Sequence, residues 1–263
     1  MNRMVRLYIL TIIVVLILLY LQRKEGFNDS PQETYYTIVP STYDGFGAQY
    51  HALLSGIAYA ASKDLIYVHS PLTQVAHGGN AAQLNAFIGI KTTPMAEEVD
   101  NVTIEPFSDE VHFSEHPSQY YTPEVIKRIR DFYFSAEKPA IENNDIAVHI
   151  RRGDVVNTDG ERYTTNEHYK TILAMLQKEY PTYSITIHSQ GTLADFSDLL
   201  GENISCKLNE DVRETFHGFV TAKVLVTAKS SLSYSAAILN KGTVYYQEFW
   251  HKPLDGWKLL NPI

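Results

Sequence analysis

The stretch Asp145-Ile146-Ala147-Val148-His149-Ile150-Arg151-Arg152-Gly153-Asp154 decides how this chain is read. A largely apolar, partly β-branched run follows Asp145 and then breaks into charge and a glycine, the pattern of a short strand buried on both faces. Such strands belong to parallel sheets, where ligands bind beyond the carboxyl ends of the strands. His149, Arg151, Arg152 and Asp154 therefore fall where such a fold does its chemistry. Two adjacent guanidiniums there are costly unless an anion is expected, and a diphosphate matches their fork geometry. A structural Arg–Asp pair at a strand end is the simpler alternative. The Arg-Gly-Asp triplet of adhesion proteins would need an exposed loop tip, and here it is fused to an apolar strand.

Working outward, strands and helices alternate. After the 145–154 stretch come a polar loop, an amphipathic helix over 167–179 and a strand over 183–188. The spacing then predicts a helix over 193–200, a strand over 204–208, a helix over 212–222 and a strand over 224–227. Ser230-Ser231-Leu232-Ser233 opens a further helix over 234–239, and 244–246 reads as the last strand. This alternation predicts a doubly wound α/β unit. Two hydroxyls and their N–H groups at a strand-to-helix turn can take a phosphate, although an N-cap serine accounts for Ser230 just as well. Toward the N-terminus, a strand over 35–40 leads to Ser41-Thr42-Tyr43-Asp44-Gly45-Phe46-Gly47-Ala48-Gln49 and a helical run over 50–61. Glycines in such a turn let backbone come close to a ligand, or simply make the turn tight. A strand over 65–69 and helices over 81–88 and 123–134 complete the first half, and 139–144 is the boundary between halves.

The chain has 263 residues, a net charge of −8 and a pI of about 5.7, a balance that disfavours a general nucleic-acid binder. A single cysteine, Cys206, excludes an intrachain disulfide framework, and no Cys/His cluster has zinc spacing. Met4 to Leu21 is apolar with few interruptions, long enough for a spanning helix, and Gln22-Arg23-Lys24-Glu25 follows where a cleaved signal peptide needs small residues. The flanking positive charges are nearly balanced, and the terminal amine tips them toward a cytoplasmic N-terminus. We expect a signal anchor in a single-pass, type II membrane protein with the globular part on the lumenal side, in the Golgi or endoplasmic reticulum. Asn28, Asn101 and Asn203 begin glycosylation triplets, no more than chance supplies.

Together, three stretches resemble the inverting fucosyltransferases that act on O-2, O-6 or protein hydroxyls. Their His-x-Arg-Arg-x-Asp motif is matched by His149, Arg151, Arg152 and Asp154, and their Ser-Ser-Phe-Ser motif by Ser230-Ser231-Leu232-Ser233. Their Gly-Leu-Gly-Asn-Gln loop is similar to Gly45-Phe46-Gly47-Ala48-Gln49. The resemblance implies an α/β, GT-B-like enzyme of two Rossmann-type halves, the N-terminal one reduced, with GDP-fucose as donor and neither cofactor nor metal. It implies Arg151 at the donor β-phosphate with Arg152 in support, and Asp154 beside them in the catalytic group. His149, Ser230, Ser231, Gly45, Gly47 and Gln49 are the implied donor-binding residues. Where relatives carry an acidic residue upstream of the Ser-Ser turn, this chain has Thr215 with Glu214 beside it. The expected base is one of Asp44, Asp159 and Glu161.

The expected organisation is a stub and anchor at 1–25, a stem at 26–34, an acceptor-side half at 35–140 and a nucleotide-sugar half at 141–263. The expected partners are a nucleotide sugar, a glycan or glycoprotein acceptor and, through the N-terminal helix, a membrane; nucleic acid is not among them. The competing readings are transfer from another nucleotide sugar and a non-catalytic carbohydrate-binding or adhesion module on the same scaffold.

Overall fold

The computed structural model describes residues 12–17, 33–77, 79–141, 144–158 and 160–260, except for the side chain of Glu161. Residues 12–17, within the expected membrane span, are helical with exposed side chains; the rest of 4–21 lies outside the described residues. Among the described residues no helix is long and apolar enough to cross a membrane.

Residues 35–263 form one compact unit built on two parallel sheets. The smaller sheet holds β1 (Tyr35–Ile38), β2 (Ile66–Tyr67) and β3 (Thr103–Glu105) in the order β2-β1-β3. Between β1 and β2 runs α1 (Phe46–Ser62); α2 (Ala81–Ile88), α3 (Asp109–His112) and α4 (Pro123–Ser135) complete this part. The larger sheet holds β4 (Ile146–His149), β5 (Ile185–Ser189), β6 (Ile204–Leu208), β7 (Val224–Val226), β8 (Thr243–Gln247) and β9 (Lys258–Leu260). Its helices are α5 (Asn166–Glu179), α6 (Val212–Thr221) and α7 (Ser231–Leu239).

The strand order of the larger sheet is β6-β5-β4-β7-β8-β9, every pair parallel. Counted from β4 this is 3-2-1-4-5-6, the doubly wound order, which reverses between β4 and β7 and opens a crevice at their carboxyl ends. All four residues of β4 are buried, and they alternate between two cores. Ile146, Val148 and Ile150 pack with Tyr169, Ile172, Leu173 and Leu176 of α5. Ala147 faces the opposite way, into a core shared by Tyr36 and Ile38 of β1, Leu53 and Ile57 of α1, and Ala236 and Leu239 of α7. That shared core joins the two sheets, so the N-termini of α1 and α7 meet over the crevice.

Several elements differ from expectation at their ends. Helix α1 starts at Phe46 rather than 50, because Phe46 stacks on Tyr50 and meets Phe216 edge-on in the core, and so begins the helix early. The region 193–200 gives only a 3-10 turn, Leu193–Phe196, because Phe196 is the one residue of that turn to enter the core. Strands β3 and β9 are not evident in the sequence; each is three residues at a sheet edge with two of the three exposed, which erases any alternation.

Candidate functional site

A cleft of about 850 Å³ opens at the carboxyl ends of β4 and β7. One wall comes from the loop after β1 (Tyr43 to Gly45), the start of α1 and His77; the other comes from 149–154, Arg162, the ends of β5 and β6, Ser230 to Leu232 and Trp250. Both arginines, Asp154, His149, Gly45, Gly47, Ser230 and Ser231 thus share one cavity. Gln49 does not: it is buried and donates through Nε2 to the carbonyls of Asp44 (2.7 Å) and Gln74 (3.0 Å). It fastens the glycine loop and makes no wall of the cleft.

Arg151 is half-buried at the strand end, with Nε 3.3 Å from Asp154 Oδ1 and Nη2 2.6 Å from Oδ2. Its Nη1 donates to the carbonyl of Lys229 (3.1 Å), which ties the end of β4 to the turn after β7. Among the described residues this leaves one N–H on each Nη, because a guanidinium carries five. Asp154 therefore acts as an orienting carboxylate: burial raises its pKa, and the paired Arg151 outweighs that and holds the carboxyl below its ordinary range. Gly153 makes the turn possible, with φ +83° in the left-handed region that side chains disfavour. The Arg-Gly-Asp triplet is thus folded back on itself and forms no loop tip.

Arg152 is committed differently. Its Nη1 bonds the Arg151 carbonyl (2.9 Å), its Nη2 bonds Thr164 O (2.9 Å) and Asn166 Oδ1 (3.0 Å), and its Cζ lies 4.1 Å from the centre of the Tyr163 ring. It anchors the loop before α5. A further cation that the sequence does not mark joins them: Arg162 lines the cleft with Nη2 3.7 Å from Asp154 Oδ2. Nothing in its sequence neighbourhood marks it, since a polar loop carries it there.

His149 is buried, with Nδ1 2.9 Å from Ser233 Oγ, which also accepts from the Ala228 N–H (3.1 Å). Burial, reinforced by Arg151, pushes its pKa down to about 3, so the ring is neutral. The last serine of the Ser-Ser-Leu-Ser stretch thus locks the histidine of the first motif. Ser230 is the N-cap of α7, accepting from the Leu232 N–H (3.3 Å), and Ser231 Oγ lies 3.3 Å from His251 Nε2. Gly45 caps α1 with no side chain, and Ser235 Oγ donates to the Gly47 carbonyl (3.1 Å). Two helix N-termini, with their partial positive charge, therefore face the cleft with Arg151, α7 from the same wall and α1 from the opposite one.

The far end of the cleft is different. Gln190, Asn209, Glu210, Val212 and Thr215 line it, and Glu210 Oε2 lies 3.0 Å from His188 Nδ1. The hydrogen bond from His188 keeps the Glu210 carboxyl below its usual range, against a smaller opposing effect of burial. Glu214 lines a separate cavity with Arg213 and Lys138. Of the expected bases, Asp44 is exposed on the cleft wall, whereas Asp159 and the side chain of Glu161 lie outside the described residues.

No family model and no curated protein matches the chain. Among solved structures, the E. coli heptosyltransferase WaaC with ADP is similar at 11% identity and a TM-score of 0.41, over 84% of this chain and 88% of that one. A variant of Arabidopsis thaliana FUT1 in complex with GDP is similar at 13% identity and a TM-score of 0.41, over 89% and 76%. POFUT1 in complex with GDP-fucose follows at 10% identity and a TM-score of 0.33, over 84% and 75%.

Proposed function

We propose that this chain is an inverting glycosyltransferase that draws its sugar from a nucleoside diphosphate, with GDP-fucose as donor, and is anchored to a membrane by residues 4–21. The observation that carries the reading is the convergence on one cleft of Arg151, aimed by Asp154, with Arg162 and the N-termini of α1 and α7. Those groups place positive charge and N–H donors where a diphosphate must sit, with Asp154 as the orienting counter-charge. Guanine is favoured by Glu210, since an ionised carboxylate accepts the N1–H and N2–H that guanine offers and uracil and adenine lack in that pattern.

The chemistry follows from the leaving group. The bond from the anomeric carbon to the β-phosphate oxygen breaks, and its electron pair departs with the diphosphate. The acceptor oxygen forms a bond to the opposite face of that carbon, and its proton passes to a base, for which Asp44 is the candidate on the wall. Charge that builds on the phosphate is met by fixed donors already in place, the largest kind of contribution a site makes. Tyr43, which is 92% exposed, and the half-exposed Trp250 stand at the rim, where flat rings suit a sugar acceptor.

The test is donor turnover. The full chain incubated with GDP-fucose and an acceptor panel should release GDP and form an inverted glycoside. A chain that binds GDP yet never turns over any sugar nucleotide is the non-catalytic module instead, and preference for UDP-sugars moves the donor while keeping the reaction.

A further inference from the structure

Behind the Ser231 and Trp250 side of the cleft, three histidines from distant parts of the chain meet. His51 comes from the second turn of α1, His112 ends α3, and His251 lies in the segment after β8. Their ring centres are 4.3 Å (His51–His112), 4.2 Å (His51–His251) and 4.9 Å (His112–His251) apart. One ring nitrogen of each lies within 4.8 Å of the other two, and His51 and His251 are each only 1% exposed.

The hydrogen bonding around them is unbalanced. Neither nitrogen of His51 has a partner, and Nδ1 of His112 has none. An imidazole always carries at least one polar N–H and usually one lone pair, so burying His51 in this state costs desolvation without return. Three phenylalanines would stack equally well there without that cost, so ring packing alone does not account for histidine. His251, by contrast, is set as a ligand is set: its Nδ1 donates to the carbonyl of His112 (3.1 Å), which fixes the tautomer and leaves the lone pair on Nε2. That lone pair accepts from the Trp250 indole N–H (3.1 Å), with Ser231 Oγ at 3.3 Å.

We propose that His51, His112 and His251 bind a single transition-metal ion of the zinc class. Imidazole nitrogens suit zinc, nickel, cobalt and copper, whereas magnesium and calcium take oxygen. Bonds of 2.0–2.1 Å to zinc require ligand nitrogens roughly 3.3 Å apart, which the present spacing reaches by ring rotation and small shifts. The sequence hides this site because positions 51, 112 and 251 have no ligand spacing. It adjoins the N-terminus of α7 through Ser231, and no step of sugar transfer runs through it. Its link to the cleft is local: an ion on His251 Nε2 displaces the Trp250 N–H, and Trp250 lines the cleft.

The full chain, stripped with a chelator and free of nucleotide, is titrated with zinc chloride by calorimetry and with cobalt(II) by visible absorption. We expect one ion per chain, the intense visible bands of a low-coordinate cobalt site, a raised melting temperature and a change in tryptophan emission. His51→Phe keeps the ring and its packing but removes a ligand. It should fold, lower zinc affinity by more than the roughly 10–100-fold that losing a partner behind a ligand costs, and abolish the thermal shift. His112→Phe, at a half-buried position, tests the same loss if His51→Phe does not fold. Trp250→Phe should keep the stoichiometry and lose the emission change, since Trp257 is the other tryptophan. No binding at micromolar zinc, or unchanged affinity in both histidine variants, overturns the site. The metal titration contains no sugar nucleotide, so its outcome stands apart from that of the transferase reading.

Discussion

Gly47→Ala probes the site through backbone rather than charge. A Cβ at position 47 would lie 2.4 Å from the Leu232 nitrogen, 2.5 Å from its Cα and 2.9 Å from its Cβ. Two of these are main-chain atoms in the first turn of α7, so no side chain can swing away. Restoring an ordinary contact of about 3.4 Å requires the N-termini of α1 and α7 to separate by about 1 Å, which also stretches the bond from Ser235 Oγ to the Gly47 carbonyl. Overpacking of this kind costs about 1–3 kcal/mol, less the few tenths that alanine gains over glycine in a first turn. At about 2–4 °C per kcal/mol for a unit of this size, the melting temperature should fall by several degrees. The effect on function should be larger in proportion, because both helix ends line the cleft and a displacement of about 1 Å can cost about a hundredfold in turnover. Thermal denaturation and GDP titration on the same preparation separate the two. Unchanged stability and affinity would mean that the two helix ends are not held against each other, and the account of the anion site would fail with it.

Glu210→Gln should weaken GDP binding by about 10- to 150-fold, the loss of charge-assisted hydrogen bonds of about 1.5–3 kcal/mol, and leave UDP binding unchanged; equal losses for both would remove Glu210 from base recognition. Added manganese or magnesium should not raise turnover, since the chain has no Asp-x-Asp triplet and Arg151 supplies the charge; strict dependence on either ion would contradict that arrangement. Acid should destabilise the fold. Burial lowers His149 to about 3 and His69 to about 4, so between pH 6.5 and 4 the unfolded chain binds the extra protons. Stability is then flat above pH 6.5 and falls below it, by ~2 kcal/mol per histidine at pH 5, and urea midpoints that do not move between pH 7 and 5 would refute it.

Much of this was legible in the sequence because β4 and β7 are buried on both faces and flanked by turns. An apolar run that ends in Arg-Arg-Gly-Asp, and another that ends in Ser-Ser, fix where the carboxyl ends lie, and the parallel topology then brings them together. The helix over 81–88 and the strand over 204–208 match the sequence to the residue, since Asn80 and Gly89 cap the helix and Ile204, Cys206 and Leu208 alternate with polar residues in the strand. Side-chain commitment was not legible. Arg151 and Arg152 are neighbours with the same chemistry and both line the cleft, yet Arg152 is held by Thr164, Asn166 and Tyr163, which only the path of a loop determines. Arg162, the His188–Glu210 pair and the histidine triad were missed for the same reason: each depends on long-range contacts and leaves no local period. Gln49 belongs to the glycine stretch that resembles a ligand loop, but one helical turn carries it inward.

The measurement that bears most directly on the central claim is calorimetric titration of GDP against GMP on the full chain and on Arg151→Lys. Lysine keeps the charge and loses the planar fork, so geometry is tested apart from electrostatics. The account predicts that GDP binds the unaltered chain more tightly than GMP, and that Arg151→Lys removes most of that difference, about 10- to 150-fold for donors of about 1.5–3 kcal/mol, with its circular dichroism unchanged. Equal affinity for GDP and GMP, or a folded Arg151→Lys that keeps the full preference for the diphosphate, would show that the arginine is structural and that the diphosphate is held elsewhere.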